Sequence, residues 1–154
     1  MTAYRVEIIA VGTELLLGNV ANTDAQFLSE MLASVGVDVL YHTAVGDNPA
    51  RLREVVDIAR GRANLLVFTG GLGPTYDDMT KQIVCEAFGL GLEFHPEIVE
   101  EIRHYFDTVF RREMPACNLQ QAYLPRGCTV LHNPVGTAPG CIFETGGVTA
   151  DGTV

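Results

Sequence analysis

The stretch Leu65-Leu66-Val67-Phe68-Thr69-Gly70-Gly71-Leu72-Gly73-Pro74-Thr75-Tyr76-Asp77-Asp78 decides the fold class. Its opening run, Leu65–Thr69, is short and apolar, the signature of a buried strand. Three glycines in four positions then let the backbone pass close to a ligand and turn N–H groups toward it. Beyond the turn, Ile83, Val84, Ala87 and Phe88 recur at helical spacing, and Gly89 stops the pattern. A strand that runs through such a turn into a helix places the turn at the C-terminal edge of a sheet, where open α/β folds bind ligands.

Working outward, the same alternation repeats. Val6–Val11 reads as a buried strand closed by Gly12. Asn22–Gly36 reads as a helix: Thr23 and Gln26 have capping-box spacing, Phe27, Leu28, Met31, Leu32 and Val35 share a face, and Gly36 ends it. Val37, Val39, Tyr41, Thr43 and Val45 alternate as in a half-buried strand. Asn48-Pro49 opens a second helix with Leu52, Val55, Val56 and Ala59 on one face, ending at Gly61. Downstream of the glycine turn, Pro96 opens a helix that carries Ile98, Val99, Ile102, Tyr105, Phe106 and Val109 toward the core. The prediction is an α/β fold with a mainly parallel sheet and helices on both faces.

Composition shifts near Pro115. The last forty residues carry only Arg126, Glu144 and Asp151 as charges, with six Gly and four Pro. That predicts short strands and shaped loops rather than helices. Ala150-Asp151-Gly152 reads as a hairpin turn, with only Thr153-Val154 left of a returning strand. The chain therefore reads as one domain, 1–154, truncated at its C-terminal end.

At 154 residues the length suits one domain of ~100–200 residues. Apolar content of 47% and charged content of 19% exclude collagenous and disordered classes. Ten Lys+Arg against nineteen Asp+Glu give a net charge of −9. A surface that acidic repels phosphate backbones, which argues against direct nucleic-acid binding. The longest apolar runs, Ile8–Val11 and Leu65–Phe68, fall far short of the ~20 residues of a bilayer span. Glu7 interrupts the first of the N-terminal apolar residues and no targeting signal follows, so the expected location is cytoplasmic and no membrane partner is expected. Cys85, Cys117, Cys128 and Cys141 show no C-x-x-C pair and read as reduced, buried thiols. The histidines are scattered.

The chemistry-bearing residues centre on the glycine turn. Thr69, Gly70, Gly71, Gly73 and Thr75 form a candidate phosphate cradle, to which a following helix N-terminus adds partial positive charge. Lys81, the only lysine, falls in that helix's first turn. Asp77 and Asp78 have two readings. One of them caps the helix, or both face a divalent cation, Mg²⁺ or Mn²⁺, that bridges protein and phosphate. Gly12-Thr13-Glu14 and Gly46-Asp47-Asn48 follow the first two strands. The run Asn133–Gly140, with Asn133, Gly136 and Thr137, lies in the loop-rich part. Each alone reads as turn glycines and caps; together they are expected to meet the glycine turn at one sheet edge. The pattern is neither G-x-G-x-x-G nor a P-loop, and no Ser-His-Asp arrangement supports nucleophilic hydrolysis.

The run Ala10-Val11-Gly12-Thr13-Glu14-Leu15-Leu16-Leu17-Gly18, then Asn22-Thr23, Val45–Asn48, Thr69–Lys81 and Asn133–Gly140, resembles the N-terminal domain of competence/damage-inducible CinA proteins. More broadly it resembles the molybdopterin-binding domain of molybdenum-cofactor biosynthesis proteins. The resemblance covers essentially the whole chain. It implies a three-layer α/β/α fold with a mostly parallel, mixed sheet, and a homo-oligomer. It also implies metal-dependent cleavage of ADP-ribose and related dinucleotide diphosphates, with Asp47 and Asp78 on the acidic site positions and Gly70, Gly71 and Gly73 on the phosphate turn. The cofactor-biosynthesis relatives imply an alternative, molybdopterin binding or adenylylation. A non-catalytic ligand-binding or assembly module is a third reading. The deamidase domain of CinA proteins has no counterpart in these 154 residues.

Overall fold

The computed structural model describes residues 4–146. They belong to two compact units, one running to Gly71 and resuming at Gly146, the other spanning Leu72–Thr145. The hairpin expected at Ala150-Asp151-Gly152 lies outside the described residues. Among those residues no helix is long and apolar enough to cross a membrane.

The first unit contains β1 (Val6–Val11), α1 (Thr13–Leu16), α2 (Thr23–Ser34), β2 (Val39–Val45), α3 (Pro49–Arg60) and β3 (Leu65–Thr69). The three strands are parallel, in the order β2-β1-β3. Central β1 is buried at all six positions, which is why its sequence is a continuous apolar run rather than an alternation. Val6 and Ile8 cluster with Ala25, Leu28 and Leu32 of α2. Glu7, of opposite parity, reaches instead to Arg62, just beyond α3. The two helices therefore cover opposite faces of the sheet, as right-handed crossovers to either side of β1 require. The predicted helix–sheet–helix layering is present in this unit.

Two local readings change. Asn22, not Thr23, caps α2: its side chain accepts from the Ala25 amide at 3.1 Å. Gln26 pairs with Glu30 instead of reaching back to the cap. The predicted apolar face also splits. Leu28 and Leu32 pack against the sheet, whereas Phe27, Met31 and Val35 are 61%, 51% and 71% exposed. They form an i, i+4, i+8 row of their own, turned away from the strands. Helix α3 matches its prediction, with Asn48 accepting from the Arg51 amide, Pro49 in the first turn and Leu52, Val56 and Ala59 buried.

The second unit contains α4 (Thr80–Ala87), β4 (Leu92–Phe94), α5 (Pro96–Tyr105), β5 (Tyr123–Pro125), β6 (Thr129–Leu131) and β7 (Gly140–Ile142). Strands β4 and β5 pair antiparallel, as do β6 and β7, so the chain's strands are of mixed direction. Ile98, Val99, Ile102, Phe106, Ala122 and Leu124 form the core. Here too the structure corrects the sequence. Ala116–Ala122 is a 3₁₀ helix in a stretch expected to hold strands and loops alone. Its Asn118 and Gln121 are buried and bond each other at 2.8 Å, an amide pairing that leaves no periodic apolar trace. Helix α5 runs on as a π turn, Phe106–Phe110, ended by Arg111 at φ 52. A π turn takes more residues than an α turn, so Phe106 stays buried while Val109, expected in the core, is 56% exposed.

The one carboxylate inside β1 sets the pH response of the first unit. Glu7 is fully buried; Arg62 donates from Nε to Oε2 at 2.8 Å and from Nη2 to Oε1 at 2.6 Å, and Thr43 Oγ1 donates to Oε1 at 2.6 Å. Burial alone would push the Glu7 carboxyl up. The hydrogen bonds from Arg62 and Thr43 and the Arg62 charge together hold it below the ordinary carboxylate value. A depressed folded-state pKa stabilises above the unfolded value of about 4.3, and that stabilisation disappears as pH falls through the folded value. Glu7→Gln is therefore expected to cost about 1–3 kcal/mol at neutral pH. The melting-temperature gap between parent and variant should close on acidification; a gap that stays constant to low pH contradicts the assignment.

Candidate functional site

In the first unit the register aligns Val11 with Val45 and Ala10 with Thr69. The loops that begin at Gly12, Gly46 and Gly70 consequently leave one edge of the parallel sheet, as predicted. The third expected member, Asn133–Gly140, does not follow a parallel strand. It joins antiparallel β6 to β7 in the second unit.

At that edge Thr13 and Asp47 are locked together. Asp47 Oδ2 accepts from the Thr13 amide at 2.9 Å and from Thr13 Oγ1 at 2.8 Å. The Asp47 amide donates back to Thr13 Oγ1 at 3.1 Å. The Glu14 carboxylate folds over Gly12, where it would collide with any Cβ. Gly70 has φ +83, and a Cβ there would overlap the Val11 carbonyl oxygen; Gly71 follows at φ +61. Two left-handed residues in succession are a conformation that glycine adopts without steric cost.

In the second unit Asp78 repeats the arrangement. Its Oδ2 accepts from the Thr75 amide at 2.8 Å and from Thr75 Oγ1 at 2.5 Å. A Cβ on Gly73 would lie 2.6 Å from that oxygen, so the missing side chain makes room for the carboxylate. Helix α4 starts only at Thr80, after residues 74–79, and its N-cap, Met79, makes no side-chain cap bond. Neither aspartate caps it. Of the two sequence readings of Asp77 and Asp78, capping is removed, and the predicted helix N-terminus does not follow directly on Gly73.

Lys81 does occupy the first turn of α4, but its Nζ donates to the carbonyls of Gln121 at 3.0 Å and Gln120 at 3.4 Å. Burial pushes its ammonium pKa down. Those glutamines in turn hold the turn that carries Asp78. Gln120 Nε2 donates to Thr75 O at 2.8 Å and Gly73 O at 3.2 Å, and Gln121 Nε2 to Leu72 O at 3.4 Å. Asn118, Gln120 and Gln121 are positioning residues that sequence reasoning missed. The available signal was a cluster of amides in a segment nearly free of charge.

Residues 7–153 match the domain family described as "Probable molybdopterin binding domain". The chain belongs to this family. Its structure is similar to that of the protein CinA, of unknown function, from Thermoplasma acidophilum, with a TM-score of 0.82 and 32% identity over 94% of this chain and 83% of that one. A putative competence-damage inducible protein of Acetivibrio thermocellus is 52% identical over 92% of this chain. The chain spans about a third (34%) of that relative's length. The tungsten cofactor synthesizing protein MoaB from Pyrococcus furiosus shares the fold, with a TM-score of 0.55 at 18% identity over 94% of this chain and 82% of that one. These relatives place the chain in the CinA branch of the molybdopterin-binding-type domains, as the motif resemblance implied.

Among the described residues no three His, Cys, Asp or Glu side chains are grouped to hold a metal. Mg²⁺ is commonly held by one or two carboxylates plus the substrate's phosphates. Asp78, pinned through one oxygen, with exposed Asp77 beside it, fits that kind of donor set. Asn133, Gly136 and Thr137 line a cavity of about 720 Å³ against α5. Asn133 ties its own loop, donating to Ala138 O at 2.9 Å and accepting from the Val135 amide at 3.1 Å.

The glycines separate folding from function. Gly70→Ala combines a left-handed φ with a backbone overlap and should cost more than about 2 kcal/mol. Gly73→Ala meets the Asp78 carboxylate rather than backbone, so it should cost less stability than Gly70→Ala while the Thr75 amide loses its partner. The check is thermal melting alongside the Thr75 amide chemical shift. Equal destabilisation by both substitutions would refute this division.

Proposed function

We propose that this domain is a divalent-cation-dependent nucleotide pyrophosphatase acting on ADP-ribose-type dinucleotide diphosphates. The observation that carries the reading is the repeated threonine lock, in which one oxygen each of Asp47 and Asp78 is fixed by a threonine amide and hydroxyl. A carboxylate held this way is preorganised, which suits catalytic work better than a solvent-mobile side chain does. The backbone N–H groups of Gly70, Gly71 and Gly73, with the hydroxyls of Thr69 and Thr75 and with Glu14 at the edge of the first unit, are assigned to substrate binding. Asp77 and Asp78 are assigned to the cation, Mg²⁺ or Mn²⁺, which when bound neutralises charge that develops on the phosphoryl oxygens. Asp47 is assigned to orient the attacking water and to take its proton on Oδ1. Water adds to one phosphorus, the bridging P–O bond breaks, and the second phosphate leaves. Lys81 is assigned to support through Gln120 and Gln121, with direct phosphate contact as its alternative role.

A second reading, molybdopterin binding or adenylylation, is supported by the family description. It uses the same glycines with a pterin partner.

Asp78→Asn keeps an acceptor for Thr75 and removes the charge. Its melting temperature should stay close to parental, while Mg²⁺- or Mn²⁺-dependent ADP-ribose hydrolysis falls by about a hundredfold or more; Asp47→Asn should behave likewise. Turnover near the parental level in both variants defeats the proposal. A parent chain inert toward ADP-ribose that binds molybdopterin tightly moves the assignment to the second reading.

A further inference from the structure

We propose that the cavity between α5 and the β6–β7 loop is a slot for a planar heteroaromatic ring, a nucleobase or a pterin. The inference rests on reading the chain as a nucleotide- or pterin-handling domain, and it names where the ring of such a ligand is held. The cavity measures about 720 Å³, inside the ~300–1,000 Å³ range of small-molecule sites. One wall is the end of α5 and its π turn, Tyr105 and Val109, with the buried Ile98 and Ile102 behind them; the other includes Pro134 and, behind it, the buried Pro139 of the hairpin loop. Facing apolar walls of this kind accept the faces of a flat ring.

The polar groups speak against a phosphate there. Among the described residues no Lys or Arg lines the cavity, and Glu101 does, together with His104 and His132. The Glu101 carboxylate pairs with His132 Nδ1 at 2.9 Å, leaving acceptor capacity beside an imidazole edge. Thr108 and Asn133 add further polar edges. Such a set reads the N–H and ring-nitrogen edge of a heterocycle and repels an anion.

The walls are also preformed. Tyr105 Oη donates to Val135 O at 3.0 Å, tying the π-turn end of α5 to the loop, and its ring stacks edge-on with Phe110 at 5.3 Å. The loop is closed internally by both Asn133 hydrogen bonds. The π turn itself is the independent observation. Helical periodicity assigns Val109 to the core, yet the added residue turns it, with Thr108, to the cavity wall. Single π turns are rare and recur at functional sites.

The test is a methyl NMR titration of the chain with adenosine and, separately, with unconjugated pterin, without metal. A ring seated in the slot should shift the Val109 and Ile102 methyl signals upfield in a saturable way. Val109→Trp should weaken binding by about tenfold or more by filling the slot. His132→Ala, at an exposed edge, should weaken it while leaving the melting temperature near parental. Ring binding, read without metal, and ADP-ribose hydrolysis, read with metal, are separate measurements, so failure of one is distinguishable from failure of the other. Saturable shifts with adenosine alone, pterin alone or both support the slot and identify the ring it takes. Absence of shifts with either at millimolar concentration overturns the proposal, as does parental affinity in Val109→Trp.

Discussion

A carboxylate buried in the central strand of a parallel sheet has to be met by a cation, and Glu7 is met by Arg62. That pairing joins three separate pieces of chain. Thr43 on β2 shares Oε1 of the carboxylate, and Arg62 arrives from the turn beyond α3. The Arg62 guanidinium also stacks 4.1 Å from the Tyr41 ring centroid. Moving β2 by one residue would turn Thr43 to the opposite face and strand the carboxylate with fewer donors. Register is thus fixed in the middle of the strands, and its consequences appear at their ends. Val11 sits beside Val45, the Gly12 amide donates to Val45 O at 2.9 Å, and Thr13 falls within reach of Asp47.

The same economy of means recurs in the second unit without a parallel sheet to enforce it. Besides its internal Thr75–Asp78 bonds, the turn carrying Asp78 has its carbonyls held from outside by Gln120 and Gln121. The short 3₁₀ helix that supplies these amides is itself held by Lys81. A lysine whose ammonium is removed from water needs acceptors, and two backbone carbonyls provide them. The sole lysine in an acidic chain therefore has a structural partner, which a charge argument from composition does not reveal.

Substrate chemistry in the proposed reading divides along similar lines. Phosphates are met by backbone amides and by carboxylates suited to a cation. A ring is met by apolar walls with the Glu101–His132 pair at their edge. These are different environments, since acceptors that suit a cation repel an uncompensated anion and apolar walls raise the cost of any charge. Their assignment to different residues follows from that difference.

Much was legible in the sequence because it is local. The apolar run of β1, the Asn48-Pro49 start of α3, the stop at Gly36 (φ +77) and the left-handed Gly70 and Gly71 are all read from residue type and spacing. The order of these motifs along the chain carried the family resemblance. Tertiary structure alone decided what depends on partners distant in sequence. It exposed Phe27, Met31 and Val35 while burying their neighbours, and it turned Val109 outward through a π turn. It also placed Asn133–Gly140 in an antiparallel hairpin and gave Asp78 to Thr75 rather than to the helix that follows. Periodicity states which residues can share a face, but which face is covered, and which polar atom finds which partner, is settled only when segments far apart in sequence pack together.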